Sequence, residues 1–457
     1  MKITRVLGGS RVLIAILLAI SLAAVACSSG SPAPTAPASK SEAPAKPAEA
    51  TKAPAAAPAN SGSKVKIQWM EWITPEIGED RAKSIIDAFE KDNPNISVER
   101  VSLPFAQVHD KVVALNVAKQ LPDVLNMNMP WTVEFAEQGI LEPLNPYLDK
   151  SDKAWVDQLV KAPMTPWKGK SYLLPLTSIP FLLFYNADLL KEAGYTAPPK
   201  TWDEMREMAI KTTKPEKNQY AFTSGMAAKS PYNGAAIELF HLIYEQGTTT
   251  IKDGKANINS PEAVKAVQFY VDLVNKDKVY SPGTLTNLEN DKVEAFASGR
   301  NTFMVSNVAH IAVLKSRNPN LNFGVAPLPK AVTTGTRLTG WNLGMSGQSK
   351  NKEAAWTFMQ WLASPKGNAL VAAASGQLPG NSAASVPAVQ SDPMLKTAAE
   401  ILKDPRVMAE DAAAPQNFDL WRIMVEQVQE ALQNKKTVQQ AMDEAAKGWN
   451  DILAKYK

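Results

Sequence analysis

Tryptophan is the residue type whose placement in this sequence could do chemistry. The chain has 11 tryptophans, all after residue 63, and several lie outside any helical stripe of apolar residues. Trp72 lies where a predicted strand runs into its helix, Trp131 follows another predicted strand, and Trp341 follows a third in a Thr-Gly-Trp-Asn segment. Ligands of open α/β sheets bind beyond the carboxyl ends of the strands, so we expect these rings to face a cleft.

An indole ring at a cleft suits one class of ligand in particular. A pyranose has an apolar face of C–H bonds that can lie on the ring, and its hydroxyls need partners from Asn, Asp, Glu, Thr or Ser. The pattern therefore predicts an uncharged sugar as ligand. A place in the core is the alternative for any one tryptophan, and Trp155, Trp356 and Trp361 fit it better.

The sequence lacks the motifs of several other chemistries. His109, His241 and His310 are far apart and none has the spacing of a zinc-binding helix. A phosphate-binding glycine loop, a dinucleotide fingerprint and a nucleophile elbow are also absent. We predict neither metal nor cofactor and favour a binding protein over an enzyme. A glycan hydrolase stays open, because its carboxylate pair is set by spatial separation.

The N-terminus has the organisation of a secretory signal. Basic residues from Lys2 to Arg11 precede an apolar run of fifteen residues, 12–26, which only Ser21 interrupts. The single cysteine, Cys27, follows this run. This apolar run is shorter than the roughly 20 residues of a membrane-spanning helix. The segment LAAVAC at 22–27 resembles a bacterial lipoprotein signal, with Ala24 where that family usually has Leu. We predict a signal peptide over 1–26 and a lipid on Cys27; a plain signal peptide is the alternative.

Composition separates a tether from a folded body. Residues 28–63 contain 12 Ala and 7 Pro but no Val, Ile, Leu or aromatic residue, so they cannot build a core. Residues 27–63 are therefore predicted to be the lipidated cysteine and a disordered tether. The body, 64–457, has 43 basic and 43 acidic residues. Its neutrality argues against nucleic acid as a partner, although the whole chain has a net charge of +4.

The body alternates strand and helix patterns. Strands are predicted at 65–69, 96–101 and 123–127, with helices between them, which indicates βαβ units and a parallel sheet. Further strands are predicted at 182–185, 220–223, 302–306 and 322–326. Thr201 and Ser260 are predicted N-caps of helices. About 394 residues exceed what one core usually organises, so we expect two α/β lobes.

The order of motifs resembles a known family, the extracellular solute-binding proteins of the maltose-binding type. The resemblance spans nearly all of 64–457. It is carried by IIDAFEK at 85–91, NPNI at 93–96, LPDV at 121–124, GILEPL at 139–144, GKSY at 169–172, LP at 174–175, LFYNADLL at 183–190, PPKTWDE at 198–204, AFASGR at 295–300, GWNL at 340–343 and SKNKEAAW at 349–356.

This resemblance implies an α/β, two-lobed periplasmic-binding-protein-like fold of type II, with hinged lobes around a central cleft. It implies a monomeric, non-enzymatic receptor that delivers its ligand to the permease of an ABC importer. Lobe 1 is expected to comprise 64–177 plus 305–340, and lobe 2 to comprise 178–304 plus 341–457. Crossings between the lobes are expected near 176–181, 304–307 and 338–343. With the lipid on Cys27, the receptor would lie at the outer face of the cell membrane, on the periplasmic side where an outer membrane exists.

The resemblance also implies ligand-facing positions. Tyr232 and Trp421 match rings on which sugar stacks in the family, and Glu71, beside Trp72, is the first acid to consider. Several charged positions that hold maltose fall on uncharged residues here, which argues against maltose itself. The expected ligand-binding residues are Glu71, Trp72, Asn128, Trp131, Ser178, Tyr232, Asn307, Trp341, Asn342 and Trp421.

Non-sugar ligands of the same fold stay open. A polyamine would need several carboxylates in the cleft, and a glycerophosphate would need arginine or a helix N-terminus. Arg337 and Arg422 are the arginines expected nearest to the cleft.

Overall fold

The computed structural model describes residues 64–164, 166–227, 234–403, 407–409 and 416–456. The predicted signal peptide, Cys27, the tether and Tyr232 lie outside these residues. The strands are β1 (Val65–Glu71), β2 (Ile96–Ser102), β3 (Val124–Met127), β4 (Leu173–Pro175), β5 (Thr177–Asn186), β6 (Ile251–Lys252), β7 (Lys255–Ala256), β8 (Phe303–Asn307), β9 (Phe323–Ala326), β10 (Thr336–Thr339), β11 (Asn342–Met345), β12 (Leu378–Pro379) and β13 (Val407–Ala409).

Helices cover both sheets and connect most of the strands. They are α1 (Ile73–Ile77), α2 (Glu79–Asp92), α3 (Phe105–Ala118), α4 (Thr132–Glu137), α5 (Asn145–Leu148), α6 (Lys153–Gln158), α7 (Ala187–Glu192), α8 (Trp202–Thr212), α9 (Gly234–Glu245), α10 (Pro261–Asn275), α11 (Glu289–Ala297), α12 (His310–Arg317), α13 (Lys352–Leu362), α14 (Pro365–Ser375), α15 (Pro387–Ser391), α16 (Pro393–Ile401), α17 (Asn417–Leu432) and α18 (Val438–Leu453).

The strands form two main sheets. The first has the order β2-β1-β3-β11-β4, in which β1 is parallel to β2 and β3 and β11 runs antiparallel to its neighbours. The second is built on β5, which pairs antiparallel with β8, β9, β10 and β12. The predicted parallel βαβ units are thus present in the first sheet, and the predicted α/β class is confirmed.

Side-chain alternation along β5 explains why the second sheet is covered on both faces. Leu183 belongs to one hydrophobic core, with α8, α9, α10, α17 and α18, whereas Leu182 and Phe184 belong to another, with α11, α12 and α16. Successive residues of a strand point to opposite faces, so one strand supplies both cores. The first sheet has its own core.

The hydrophobic cores place the boundaries between the two lobes at residues other than those predicted. Residues 341–371 pack with 67–176 because β11 lies between β3 and β4. Residues 303–328 pack with the second sheet because β8 and β9 both pair with β5. The segment 304–307, predicted as a crossing, therefore lies within the second lobe. The chain passes between the sheets at Leu176, at 340–341 and at 376–377.

The predictions of local structure agree better with the structure than the predicted lobe boundaries do. The Thr201 hydroxyl accepts a hydrogen bond from the Glu204 backbone N–H at 3.2 Å, and the Ser260 hydroxyl accepts one from Ala263 at 3.3 Å. Both N-caps are confirmed. The predicted strand at 220–223 is wrong, since only single bridges form there, from Tyr220 and Phe222.

Backbone contact at the crossings requires a glycine. The Trp341 carbonyl accepts from the backbone N–H groups of Leu176 and Thr177 at 2.9 and 3.1 Å, and the Thr177 hydroxyl accepts from the Trp341 N–H at 2.9 Å. A Cβ at residue 340 would lie 2.1 Å from the Thr177 carbonyl oxygen. Only glycine fits between these two crossing segments.

Replacing Gly340 by alanine is expected to lower the free energy of unfolding by about 1 to 3 kcal/mol, because the backbones must separate. Chemical denaturation of both proteins measures this change. Gly335→Ala is the matched control, since a Cβ there would meet its nearest neighbour at 3.5 Å. Equal unfolding midpoints for Gly340→Ala and the control would contradict the assignment.

Candidate functional site

A cavity of about 640 Å³ lies between the core of the first sheet and the two cores of the second sheet. Trp72, Phe105, Asn128 and Trp341 line it from the first lobe. Asn128 follows β3 and Trp72 follows β1, so both stand at carboxyl ends of parallel strands, where the sheet rule places ligands. From the second lobe the wall includes Phe181, Asn307 and His310. The volume falls within the roughly 300 to 1,000 Å³ usual for small-molecule pockets.

The structure brings half of the ten predicted ligand-binding residues together. Trp72, Asn128, Asn307, Trp341 and Trp421 all line the cavity, although they come from five separate stretches of sequence. Tyr232 is outside the described residues. The others lie behind the wall or elsewhere in the fold.

Glu71 is a structural carboxylate and does not line the cavity. It is fully buried, and it accepts hydrogen bonds from the Thr74 backbone N–H at 2.8 Å, the Thr74 hydroxyl at 2.6 Å and the Ser102 hydroxyl. These bonds tie the end of β1 to α1 and β2. The acid of this region that does line the cavity is Glu76, in α1.

Trp131, Asn342 and Ser178 are also absent from the described cavity wall. Trp131 stacks on Phe105, with ring centroids 5.3 Å apart, and so supports a residue that does line it. Asn342 donates its amide hydrogens to the carbonyls of Met127 and Gly340 at 3.3 and 3.0 Å. Ser178 is buried in β5 opposite β12.

The cavity tryptophans are more enclosed than a stacking platform would be. Trp72 and Trp421 are each only 2% exposed. The guanidinium of Arg337 lies 4.6 Å from the Trp421 ring centroid, and Phe240 and Phe418 meet that ring edge-on. The partly exposed aromatic residues of the wall are Phe105 and Phe418. The carboxyl-end rule could have pointed to Phe105, which starts α3 directly after β2.

Several buried polar atoms of the wall lack a hydrogen-bond partner among the described residues. They are the Asn128 Oδ1, the Gln377 Oε1 and the Trp421 Nε1. Leaving a buried polar atom unpaired costs about 1 to 3 kcal/mol, so such atoms normally find a partner. Two acceptors and one donor of the wall residues are therefore unpaired among the described residues.

The charge of the wall is low near neutral pH. Desolvation of the carboxyl group, aided by the nearby Glu71 carboxylate, raises the pKa of Glu76 to about 7, although the residue as a whole is exposed. Burial lowers the pKa of His310 to about 4, so its ring is neutral. Glu289 forms an ion pair with Lys292 at 2.9 Å. Among the described residues that line the cavity there is no lysine or arginine.

Sequence reasoning missed Glu76, Phe181, Leu288, Glu289 and His310. Glu289 and His310 are the first residues of α11 and α12, and only the pairing of β8 with β5 brings both helix starts to the cavity. No short-range pattern in the sequence marks that arrangement.

Glu76 makes stability depend on pH in a definite direction. Its pKa in the folded protein, about 7, exceeds the ordinary 4.5, so between these values the folded state holds a proton that the unfolded state has lost. We expect the free energy of unfolding to fall as the pH rises from 4.5 to 7, and the Glu76→Gln variant to lose this component. Denaturation of both proteins at pH 4, 6 and 8 measures it.

Glu216→Gln, at an exposed site away from the cavity, is the control for that series. A constant stability difference between wild type and Glu76→Gln across these pH values would contradict the raised pKa.

Two lobes with a cavity between their cores define the class of two-lobed binding proteins. The chain belongs to the bacterial extracellular solute-binding protein family, whose model matches residues 75–369. In the described part of the chain no helix is long and apolar enough to cross a membrane. Nor do the described His, Cys, Asp and Glu residues include a group of three or more that could hold a metal ion.

Relatives include a binding protein of Brucella abortus, 28% identical over 60% of this chain and 66% of that protein, so the chain spans just under two thirds of it. The maltotriose-binding protein of Pyrococcus abyssi is 28% identical over 57% of this chain and 55% of that protein. The mannitol-binding protein of Pseudomonas aeruginosa is 26% identical over 65% and 69%.

Solved structures agree with the fold. An ABC transporter solute-binding protein of Thermotoga lettingae, bound to α-D-tagatose, is 25% identical and has a TM-score of 0.71 over 85% of this chain and 100% of that one. Maltose-bound MalE3 of T. maritima is 28% identical, with a TM-score of 0.68 over 86% and 100%.

Proposed function

We propose that this protein captures a sugar or oligosaccharide in the cavity between its lobes and delivers it to the permease of an ABC importer. The observation that carries the proposal is the wall itself, in which aromatic rings from both lobes surround unpaired amide and indole groups. Relatives named for maltotriose and mannitol, and similar structures that hold tagatose and maltose, support the same class of ligand.

Capture works through contact with both lobes. Asn128 and Trp341 belong to the first lobe, whereas Asn307 and His310 belong to the second. A ligand can shift the open and closed populations only by binding one state more tightly than the other. A sugar that bridges these groups gains contacts on closure, and the closed form is what a permease would receive.

The other ligands of this fold find less support. Arg422 is exposed and pairs with Glu426 and Asp419, and Arg337 lies behind the Trp421 ring, so neither is in the described wall that a phosphate would meet. A polyamine would meet Glu76, whose pKa is near 7, and Glu289, which Lys292 already neutralises. The wall suits an uncharged ligand better than either ion.

Hydrolysis also finds little support in the geometry. Ser306 contacts His310 Nδ1 at 2.6 Å and Glu289 at 3.2 Å, so the serine lies between the other two groups. A nucleophilic triad needs the histidine in the middle, with the carboxylate on its far nitrogen. We propose a binding protein without turnover.

A thermal-shift screen tests the ligand class. The full chain is measured with maltotriose, mannitol, D-tagatose, glycerol 3-phosphate and spermidine. We expect at least one sugar to raise the midpoint, since a ligand at 100 times its Kd adds about 2.7 kcal/mol of stability. A shift from glycerol 3-phosphate or spermidine alone would overturn the proposal, as would release of product from a glycan.

Two asparagines provide a matched pair of variants. Asn128→Ala removes an amide from the cavity wall and should weaken sugar binding about tenfold, the equivalent of about 1.4 kcal/mol, with little change in the unliganded midpoint. Asn342→Ala removes bonds to two backbone carbonyls and should chiefly lower the midpoint. The reverse pattern would contradict the assignment of Asn128 to the site.

We further propose that Cys27 carries the lipid that holds the protein at the outer face of the membrane, with 28–63 as its tether. Each buried methylene contributes about 0.8 kcal/mol, and one chain alone holds only marginally, so stable anchoring needs more than one acyl chain. Cys27→Ser is expected to move the protein from the membrane fraction to the soluble fraction. Retention of that variant in the membrane fraction would point to a different anchor.

A further inference from the structure

A polar network connects the cavity wall to the interior of the second lobe. Glu289 and His310 both line the cavity, and both contact the hydroxyl of Ser306 in β8. The Ser306 Oγ lies 3.2 Å from Glu289 Oε1 and 2.6 Å from His310 Nδ1. Hydrogens in this network can be placed by counting donors and acceptors.

Lys292 forms an ion pair with Glu289 behind the cavity wall. Its ammonium group is 1% exposed and lies 2.9 Å from Glu289 Oε2, 3.2 Å from Glu238 Oε1 and 2.9 Å from the Val305 carbonyl oxygen. Burial alone would favour neutral lysine, but these two carboxylates raise the pKa of Lys292. A buried cation needs anionic partners, and in its ion pair with Lys292 the Glu289 carboxylate is a hydrogen-bond acceptor toward Ser306.

The Ser306 hydroxyl can then donate its hydrogen bond in one direction, toward Glu289. It carries a single hydrogen, which it donates to the Glu289 carboxylate because that group has none to give. The contact between Ser306 Oγ and His310 Nδ1 therefore needs its hydrogen from the histidine. Nδ1 of His310 must carry a proton.

His310 is nevertheless neutral. It is half-buried at the first turn of α12, where the positive end of the helix dipole disfavours a cation. Burial is the largest influence on its pKa, and it holds that pKa at about 4 although the Glu289 carboxylate acts to raise it; Lys292 and Arg317 act in the same direction as burial. A neutral ring with Nδ1 protonated has a bare Nε2, which can only accept.

We infer that His310 Nε2 is an acceptor-only group of the cavity wall that selects ligands by their hydroxyl hydrogens. A free hydroxyl satisfies this acceptor, whereas an ether oxygen or a phosphate oxygen cannot donate to it. The inference deepens the proposed function, since it rests on sugar binding in this cavity and names the residue that reads the hydroxyls. His310 is the specificity-determining residue, and Ser306 and Glu289 set its tautomer.

The tautomer can be measured without any ligand. Long-range ¹H–¹⁵N correlation spectra of the full chain with labelled histidine contain three rings, and the His310→Gln variant assigns the one of interest. We expect Nδ1 protonated and Nε2 unprotonated at every pH from 5.5 to 8. In Ser306→Ala the ring should lose this preference. Protonation of Nε2 in the wild type would overturn the inference.

Binding of maltotriose tests the recognition role. Glutamine can place its amide oxygen near the position of Nε2, whereas leucine fills similar space without an acceptor. His310→Leu should weaken binding about tenfold and His310→Gln should stay within about threefold of wild type, with equal unliganded midpoints as the check on folding. Equal weakening by both variants would refute the role.

The spectra and the binding measurements distinguish failure of the recognition role from failure of the proposed function. If no sugar in the screen binds the wild type, the proposed function fails and the recognition role fails with it, while the spectra still decide the tautomer. If sugars bind and His310→Leu binds as tightly as wild type, only the recognition role fails.

Discussion

The close approach of two crossing segments at Gly340 is the constraint on which the cavity depends. The carbonyl of Thr177 occupies the space where any larger residue 340 would place its Cβ, and Trp341 bonds to both Leu176 and Thr177 across the same gap. Asn368 adds a bond from α14 to the Leu176 carbonyl at 2.9 Å. Because the segments are joined here, the first lobe presents Trp72 and Asn128 opposite the second lobe's Asn307 and His310.

The chemistry of the cavity follows from what the fold leaves unpaired and uncharged. Deep carboxylates such as Glu71 and Glu289 already have protein partners, and the arginine nearest to Trp421 lies behind its ring. The Asn128 oxygen and the Trp421 N–H have none among the described residues. A neutral ligand with many hydroxyls complements such a wall, because it brings donors and acceptors without a charge to desolvate.

Short-range rules predicted the local structure and part of the site. The caps at Thr201 and Ser260 and the parallel strands β1, β2 and β3 follow from side-chain chemistry and periodicity alone, and Trp72 follows from the carboxyl-end rule. Asn128 was implied by the family resemblance. The strand predicted at 220–223 did not form, since it gains single bridges and no strand partner. Glu71 shows the same limit of short-range rules. Its residue type and position suited a ligand contact, but its carboxylate accepts hydrogen bonds from Thr74 and Ser102 of the protein itself.

Long-range pairing was beyond those rules. The sequence of 303–307 does not indicate that this segment pairs along its whole length with β5. That pairing brings Glu289, Ser306 and His310 together at the cavity, and it places 305–340 outside the first lobe. Likewise, only the insertion of β11 between β3 and β4 assigns 341–371 to the first core. Resemblance to a family predicted the two lobes, but these partners decide their boundaries.

A crystal structure of the chain, grown with the sugar that most raises its thermal midpoint, tests the central claim most directly. We predict a sugar between the two lobes, within hydrogen-bond distance of Asn128 on one side and of His310 on the other. A sugar bound on an outer surface, or one that contacts a single lobe, would contradict this account.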